Sequence, residues 1–386
     1  MRTCLPSPDN GTTWVDRVAR HIHDPVTRLR FLKAVVPCPE DELRKPHRIK
    51  RFCVLALAAI AVMLLVLMTL SRLRASVPVQ SASAPVPRVI DKPSPSMSRA
   101  ADVWLVEKLG ESDTYSNGLR IDNRYLVATH ARSYLAFPMD GSSPVERSEP
   151  AGIVFHTTES QQAPFEAREN RALKRIGEST LEFVRRRQAY NFVIDRFGRV
   201  YRIVAEDQVA NHSGYSVWAD ENWSYLNLNQ SFLAISFEAV SPGAQLEAEV
   251  SPAQVRSAAM LIEMLRHQYH IAASNCVTHA QVSVNPSNMR MGYHADWASG
   301  FPFESMGLPN NYGAALPSLW AYGFDYDADF ARKAGERMRG GLADAEGMLL
   351  RKAAAAGLRP PAYKSRLRQR YRELLARARH NGVGSE

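Results

Sequence analysis

The chain has 386 residues, 45% of them hydrophobic, which suffices for one large domain or two smaller ones once tails are set aside. Its formal net charge of +9 is unevenly spread: residues 1–51 carry +5, residues 331–386 carry +9, and the middle carries −5. Basicity therefore belongs to the ends and gives no reason to expect a nucleic-acid partner for the central region.

Residues 1–51 contain two helix-like pieces, Trp14 to His23 and Thr27 to Val36, without a long periodic core, and read as a cytosolic extension. Residues 52–70, FCVLALAAIAVMLLVLMTL, hold no charge over 19 residues, long enough to cross a hydrocarbon core of about 30 Å. The run is longer than a signal-peptide core, and no small-x-small cleavage site follows it in SRLRAS. Arg44, Lys45, Arg48, Lys50 and Arg51 precede it while only Arg72 and Arg74 closely follow. The positive-inside rule then places the N-terminus in the cytoplasm and the rest in the periplasm or outside the cell, as a single-pass inner-membrane protein. Residues 71–101 form a Pro/Ser/Ala spacer.

A folded domain is expected over 102–330, with its core at 150–305. Residues 102–149 show strand-like pieces at Val103–Val106, Tyr125–Ala128 and Tyr134–Phe137, an added edge of that domain. An apolar run from Gly152 to Phe155 gives way to His156, and Ala172 to Gln188 has a helical pattern. Asn191 to Val204 reads as a hairpin turning at Arg196-Phe197-Gly198-Arg199, and NQSFLAISFEA contains a further strand. Ser251-Pro252 opens a second helix reaching about Tyr269, with Val255, Ala258, Met260, Leu261, Met264 and Leu265 on one stripe. The fold class is α/β, a mixed central sheet flanked by helices, with the transmembrane helix before it. A basic helical C-terminal tail over 331–386, broken at Gly340-Gly341 and Pro360-Pro361, comes after, its helices packed on the domain or extending from it.

The stretch from Asn275 to Phe303 is rich in Asn, Pro, Gly and Ser and suits a loop. It gathers His279, His294 and Asp296, potential metal or acid-base groups. A catalytic zinc site needs three protein ligands and one open position, and His156 is the best candidate from outside this stretch. His267 and His270 read as end-of-helix histidines. Cys276 reads as a buried thiol, and Cys4, Cys38 and Cys53 fall on the other side of the membrane or within it, leaving no intramolecular disulfide for the exported part.

Strand-His-Thr, Tyr-x-Phe-x-Ile-Asp-Arg-x-Gly, Asn-His-x-Gly, Ile-x-x-Glu, a helix, Thr-His-x-x-Val and a late Asp before Phe-Pro follow one another in this order. The succession resembles the zinc-dependent N-acetylmuramoyl-L-alanine amidases, the family of the phage lysozyme-type amidases and the peptidoglycan recognition proteins. The resemblance covers roughly residues 150–305 and implies Zn²⁺ held by His156, His279 and Asp296. Many members carry a Lys where this chain has His294, so His294 is expected either to polarise the substrate carbonyl or to replace Asp296 as ligand. Tyr190 matches the tyrosine set beside the metal water, and the resemblance implies it as the general base that moves the water's proton. Other members use a Glu where this chain has Ser236, and Glu238, matching the second Glu of that strand, is the reserve base. His212 and Asn229 are expected to line the substrate groove.

The implied activity is hydrolysis of the amide between N-acetylmuramic acid and L-alanine of peptidoglycan by a membrane-anchored zinc amidase. The alternatives are a non-catalytic muropeptide-binding module and a zinc peptidase cutting another amide.

Overall fold

The computed structural model describes residues 102–241 and 250–381. The expected extension (1–51), transmembrane run (52–70) and spacer (71–101) lie outside the described residues, as do Cys4, Cys38 and Cys53. Among the described residues no helix is long and apolar enough to cross a membrane.

In chain order the strands are β1 (Leu105–Leu109), β2 (Ser112–Tyr115), β3 (Arg120–Asp122), β4 (Tyr134–Pro138), β5 (Val145–Arg147), β6 (Gly152–Thr157) and β7 (Phe192–Ile194). They continue with β8 (Val200–Arg202), β9 (Val217–Ala219), β10 (Trp223–Leu226), β11 (Phe232–Phe237), β12 (Cys276–Thr278), β13 (Val284–Asn285) and β14 (Arg290–Met291). The helices are α1 (Asn170–Arg187), α2 (Leu228–Ser231), α3 (Pro252–Gln268), α4 (His279–Val282), α5 (Pro317–Trp320), α6 (Ala328–Lys333), α7 (Glu336–Ala355) and α8 (Pro360–Asn381).

The main sheet runs β1-β2-β3-β8-β7-β11-β6-β12. Its deep part is parallel: β11 pairs with β6 and β7, and β12 with β6. Every residue of β6 and β11 is buried, as a parallel strand covered on both faces requires. Gly152 opens β6 because a Cβ there would lie 2.1 Å from the Phe232 ring and 2.5 Å from the Asn275 carbonyl. The region before residue 150, expected as an added edge of the domain, adds β1–β3 to the sheet edge and sends β4 and β5 into a second sheet ordered β5-β4-β10-β9. Tyr125–Ala128 is not a strand; Tyr125 instead packs edge-on against Tyr201, ring centroids 5.6 Å apart.

The hairpin expected over 191–204 is the antiparallel pair β7–β8. Asp195 Oδ1 accepts from the N–H groups of Phe197 and Arg199, and Gly198 turns the chain at φ +80° with the Ala253 carbonyl 2.7 Å from where a Cβ would be. Helix α3 starts at a full capping box: Ser251 Oγ accepts from the Gln254 N–H, and Gln254 Oε1 accepts from the Ser251 N–H. Its stripe is as expected, with Ala258, Leu261, Met264 and Leu265 wholly buried and Val255 and Met260 packed at the margin.

Two expectations need correcting. Residues 275–303 are not one loop. Cys276–Thr278 is the strand β12, α4 follows directly, and β13 and β14 pair as a short hairpin, so the turn-forming composition marks the turn between them and the loop from Gly292 to Phe303. The break expected at Gly340-Gly341 is absent, since α7 runs unbroken from Glu336 to Ala355, and the C-terminal helices pack on the domain: Tyr371 of α8 is buried against Tyr322 and Phe324, Lys364 and Arg368 pair with Asp325, and Met338, Leu342 and Ala345 of α7 join the main core.

One buried cation ties the sheet together. Among the described residues Arg132 has no carboxylate partner; it donates to the carbonyls of Glu206, Gln208, Gln230 and Phe232. Burial pulls its pKa down to about 10, so it stays charged at neutral pH.

Candidate active site and metal centre

The carboxyl ends of the parallel strands carry the candidate groups, the edge at which open α/β sheets gather their ligands. His156 is the fifth residue of β6, beside Ser236 of β11 in the parallel register. His279 begins α4 immediately after β12, whose exit is fixed by the Gln281 carboxamide: Oε1 accepts from the Thr278 N–H at 2.9 Å and Nε2 donates to the Asn311 carbonyl at 2.8 Å. Asp296 comes back along the loop after β14, held because its carbonyl accepts from the Ala280 N–H at 3.1 Å. The next residue, Trp297, is wholly buried with φ at 57°, an uncommon backbone state for a large side chain.

The three side chains meet. Asp296 Oδ1 lies 2.8 Å from His279 Nδ1, and Oδ2 lies 3.3 Å from His156 Nδ1. One donor atom from each of His156, His279 and Asp296 lies within 4.8 Å of the others.

Burial pushes the His156 pKa down to about 4, helped by His279 and opposed by Asp296, so its ring is neutral at neutral pH. Burial also works against the charge on Asp296, yet the two imidazoles hold its carboxyl far below the usual carboxylate range. A buried carboxylate facing ring nitrogens is a donor set that suits a divalent cation, with nitrogen and oxygen ligands of the kinds zinc accepts. The second face of His156 is also supported: its Nε2 lies 3.2 Å from His212 Nδ1. Nε2 of His279 is buried without a hydrogen-bond partner among the described residues.

Tyr190 stands beside this cluster, its ring centroid 5.1 Å from that of His156. Its backbone is left-handed (φ 59°) and is tied by a bond from its N–H to the Asn211 carbonyl, a strained placement of the kind that persists where surroundings over-determine it. Burial first, and then the Asp296 charge, push the phenol up to about 12, with the neighbouring Ser236 hydroxyl pulling the other way.

His294 stacks on His279, centroids 4.8 Å apart and planes 20° apart, and is exposed next to Tyr293, itself 67% exposed. Its N–H is held by Ser283 Oγ at 2.9 Å, and burial and His279 lower its pKa. In this arrangement Asp296 touches both other candidate ligands, whereas His294 covers one face of His279.

The remaining expected residues are placed differently from one another. Glu238 is buried, accepts from the Arg196 N–H at 3.1 Å and lies against Gly177 of α1, and none of its hydrogen bonds reaches the histidine cluster. Burial raises its pKa, with the neighbouring Asp195 acting in the same direction. Asn229 is turned inward: its Oδ1 accepts from the N–H groups of His212, Ser213 and Gly214 at 2.9, 2.7 and 2.8 Å. It shapes the NHSG loop.

Glu159 escaped the sequence reading. It is exposed, left-handed at φ 49°, and accepts from Thr157 Oγ1 and the Ser241 N–H, closing the end of β6 three residues past His156. A single Glu in the polar run TTES carries no pattern that distinguishes it.

Residues 146–295 match the protein family described as N-acetylmuramoyl-L-alanine amidase. No curated protein matches the chain. Among solved structures, it is similar to the N-acetylmuramyl-L-alanine amidase AmiD from E. coli in complex with anhydro-N-acetylmuramic acid-L-Ala-D-gamma-Glu-L-Lys, with 18% identity, 58% of this chain and 88% of that one covered, and a TM-score of 0.35. It is also similar to AmpDh3 from Pseudomonas aeruginosa in complex with an anhydromuramic pentapeptide, with 17% identity, 41% of this chain covered and a TM-score of 0.30; the chain spans 58% of that protein's length. A third likeness, to Drosophila peptidoglycan recognition protein SD, has 15% identity, 41% and 78% coverage and a TM-score of 0.26.

Proposed function

We propose, from the premise that residues 146–295 belong to the N-acetylmuramoyl-L-alanine amidase family, that this chain hydrolyses the amide joining N-acetylmuramic acid to L-alanine in peptidoglycan. The observation that carries the reading is the Asp296 carboxylate set between His156 Nδ1 and His279 Nδ1. Zinc held by these three groups would supply Lewis acidity and a water acidified to a pKa of about 7.

The chain's own groups supply the rest. A phenol near pKa 12 keeps its proton at neutral pH, so Tyr190 acts as a hydrogen-bond donor to the developing oxyanion. His294, exposed at the mouth, has a ring able both to accept and to donate, and takes the proton of the attacking water and returns it to the leaving amine. This allocation reverses the one expected from sequence, where Tyr190 moved the proton and His294 held the oxyanion. Ser236, beside His156, leaves the strand without the carboxylate that other members place there.

The test is mass spectrometry of purified muropeptides incubated with the full-length chain, beside its Asp296→Ala variant. Free stem peptide beginning with L-alanine, absent with the variant, is the expected result. Intact muropeptides from a zinc-loaded parent would leave a binding module, and cleavage at another amide would leave a peptidase.

Attachment to the inner membrane through residues 52–70, with the domain periplasmic or extracellular, belongs to the same proposal. It is supported by the uncharged 19-residue run and the basic residues ahead of it. Protease added outside intact spheroplasts should degrade the domain and spare residues 1–51; protection of the domain would reverse the topology.

A further inference from the structure

His212 is expected from sequence to line the substrate groove, but both of its ring nitrogens are engaged by the protein. Nε2 lies 3.1 Å from the Leu228 carbonyl, which can only accept, so Nε2 carries the proton and Nδ1 is the acceptor. Two groups face that Nδ1: Ser213 Oγ at 2.7 Å and His156 Nε2 at 3.2 Å. If His156 Nε2 were bare, two nitrogen lone pairs would confront each other at that distance. A proton on His156 Nε2 removes that conflict and puts the lone pair of His156 on Nδ1, where it faces Asp296 Oδ2 at 3.3 Å, two acceptors converging as they do around a shared cation.

We propose that His212 is a positioning residue: it accepts from His156 Nε2–H and so fixes the tautomer and ring orientation that present His156 Nδ1 to a metal ion. The role rests on the metal-centre reading of the site given above. Metal-binding histidines usually donate their second N–H to a carboxylate, a carbonyl or water. Here the acceptor is a neutral imidazole, which orients the ring without adding a negative charge, so Asp296 alone supplies the anionic ligand. The arrangement is built rather than incidental. Asn229 Oδ1 gathers three successive N–H groups of the loop carrying His212, and the Leu228 carbonyl that sets the His212 tautomer is one residue away from Asn229. Asn229 thus serves the same end from behind.

The experiment is zinc affinity of the full-length chain by competition with a chromophoric chelator, with zinc-free melting recorded on the same samples. His212→Phe should weaken zinc binding 10- to 100-fold while the zinc-free protein melts within a few degrees of the parent. His212→Gln, whose side-chain carbonyl can accept from His156, should recover most of that loss. Equal affinity in His212→Phe and the parent overturns the proposal, and so does a Gln variant as weak as Phe, since the ring would then only fill space. Should His212→Phe fail to fold, Asn229→Ala loosens the same loop and must also weaken zinc binding; unchanged affinity there counts against the role. A parent that takes up no zinc sinks the metal centre and this role together, whereas zinc uptake without amide cleavage sinks only the proposed reaction.

Discussion

In the proposed reaction a phenol and an imidazole share the work that many metal hydrolases give to one carboxylate, and single substitutions separate them. Tyr190→Phe keeps the ring against His156 and removes only the hydroxyl, so zinc content should stay that of the parent while kcat falls by about 10²- to 10³-fold, the usual loss for one oxyanion donor. A loss of zinc in parallel would make the tyrosine a structural prop. Away from the site, Asp113 is buried; burial works against its charge, but the hydrogen bonds and charge of Arg202, with help from Asn123, hold its pKa below the ordinary value. A carboxyl depressed in the folded state contributes stability above its unfolded pKa of about 3.9 and loses that contribution as pH falls through the folded value. Urea unfolding should therefore show Asp113→Asn clearly less stable than the parent at pH 7, with the gap narrowing as the pH falls below the unfolded carboxyl pKa of about 3.9. Residue types and their order were enough to nominate His156, His279 and Asp296, because each sits at a strand end or in a turn with its own local signature. The bond between His156 and His212, 56 residues apart, was not legible, since it depends on how two loops settle after the sheet has formed.

At the scale of elements, short strands depend on their caps and close approaches. Ser251 serves two elements at once: it caps α3 through Gln254 and donates from Oγ to the Arg196 carbonyl in the β7–β8 turn. Ser251→Ala should cost about 1–2 kcal/mol, read as a lower urea midpoint at unchanged slope, with zinc affinity retained. The cap, the apolar stripe of α3 and the hairpin turn are all local in sequence and were legible there. By contrast, β12 has only three residues in a stretch of turn-forming composition, and it becomes a strand because β6 offers it a buried parallel edge. Tertiary pairing of this kind overrides local propensity.

For the molecule as a whole, the two features that bind most of it together gave little sequence signal. Arg132 satisfies carbonyls from two separate segments, so Arg132→Leu would strand several buried acceptors at about 1–3 kcal/mol each. The variant is expected to lose at least about 3 kcal/mol, measured by denaturant unfolding; a loss under about 1 kcal/mol would mean that water replaces the guanidinium. The last helix is similarly integrated. Leu367, Tyr371 and Leu375 are each less than a tenth exposed, so truncation after Leu358 removes apolar burial worth roughly 1.5–3 kcal/mol per side chain at the upper bound. The shortened chain should melt more than about 5 °C below the parent. Helical composition of that region was legible, but its docking was not, because the apolar residues are sparse among arginines.

The central place of β6 has a consequence for how the site opens. Amide protons from Ile153 to Phe155 lie between two parallel partners in a buried strand, and hydrogen exchange there should proceed only through global unfolding. Asp296 instead follows exposed Tyr293 and His294 on a loop outside the main sheet, whose amides can exchange through local opening. The two halves of the site thus differ in lifetime by the gap between local and global opening. The Asp296 side can therefore open while the strand carrying His156 stays in register.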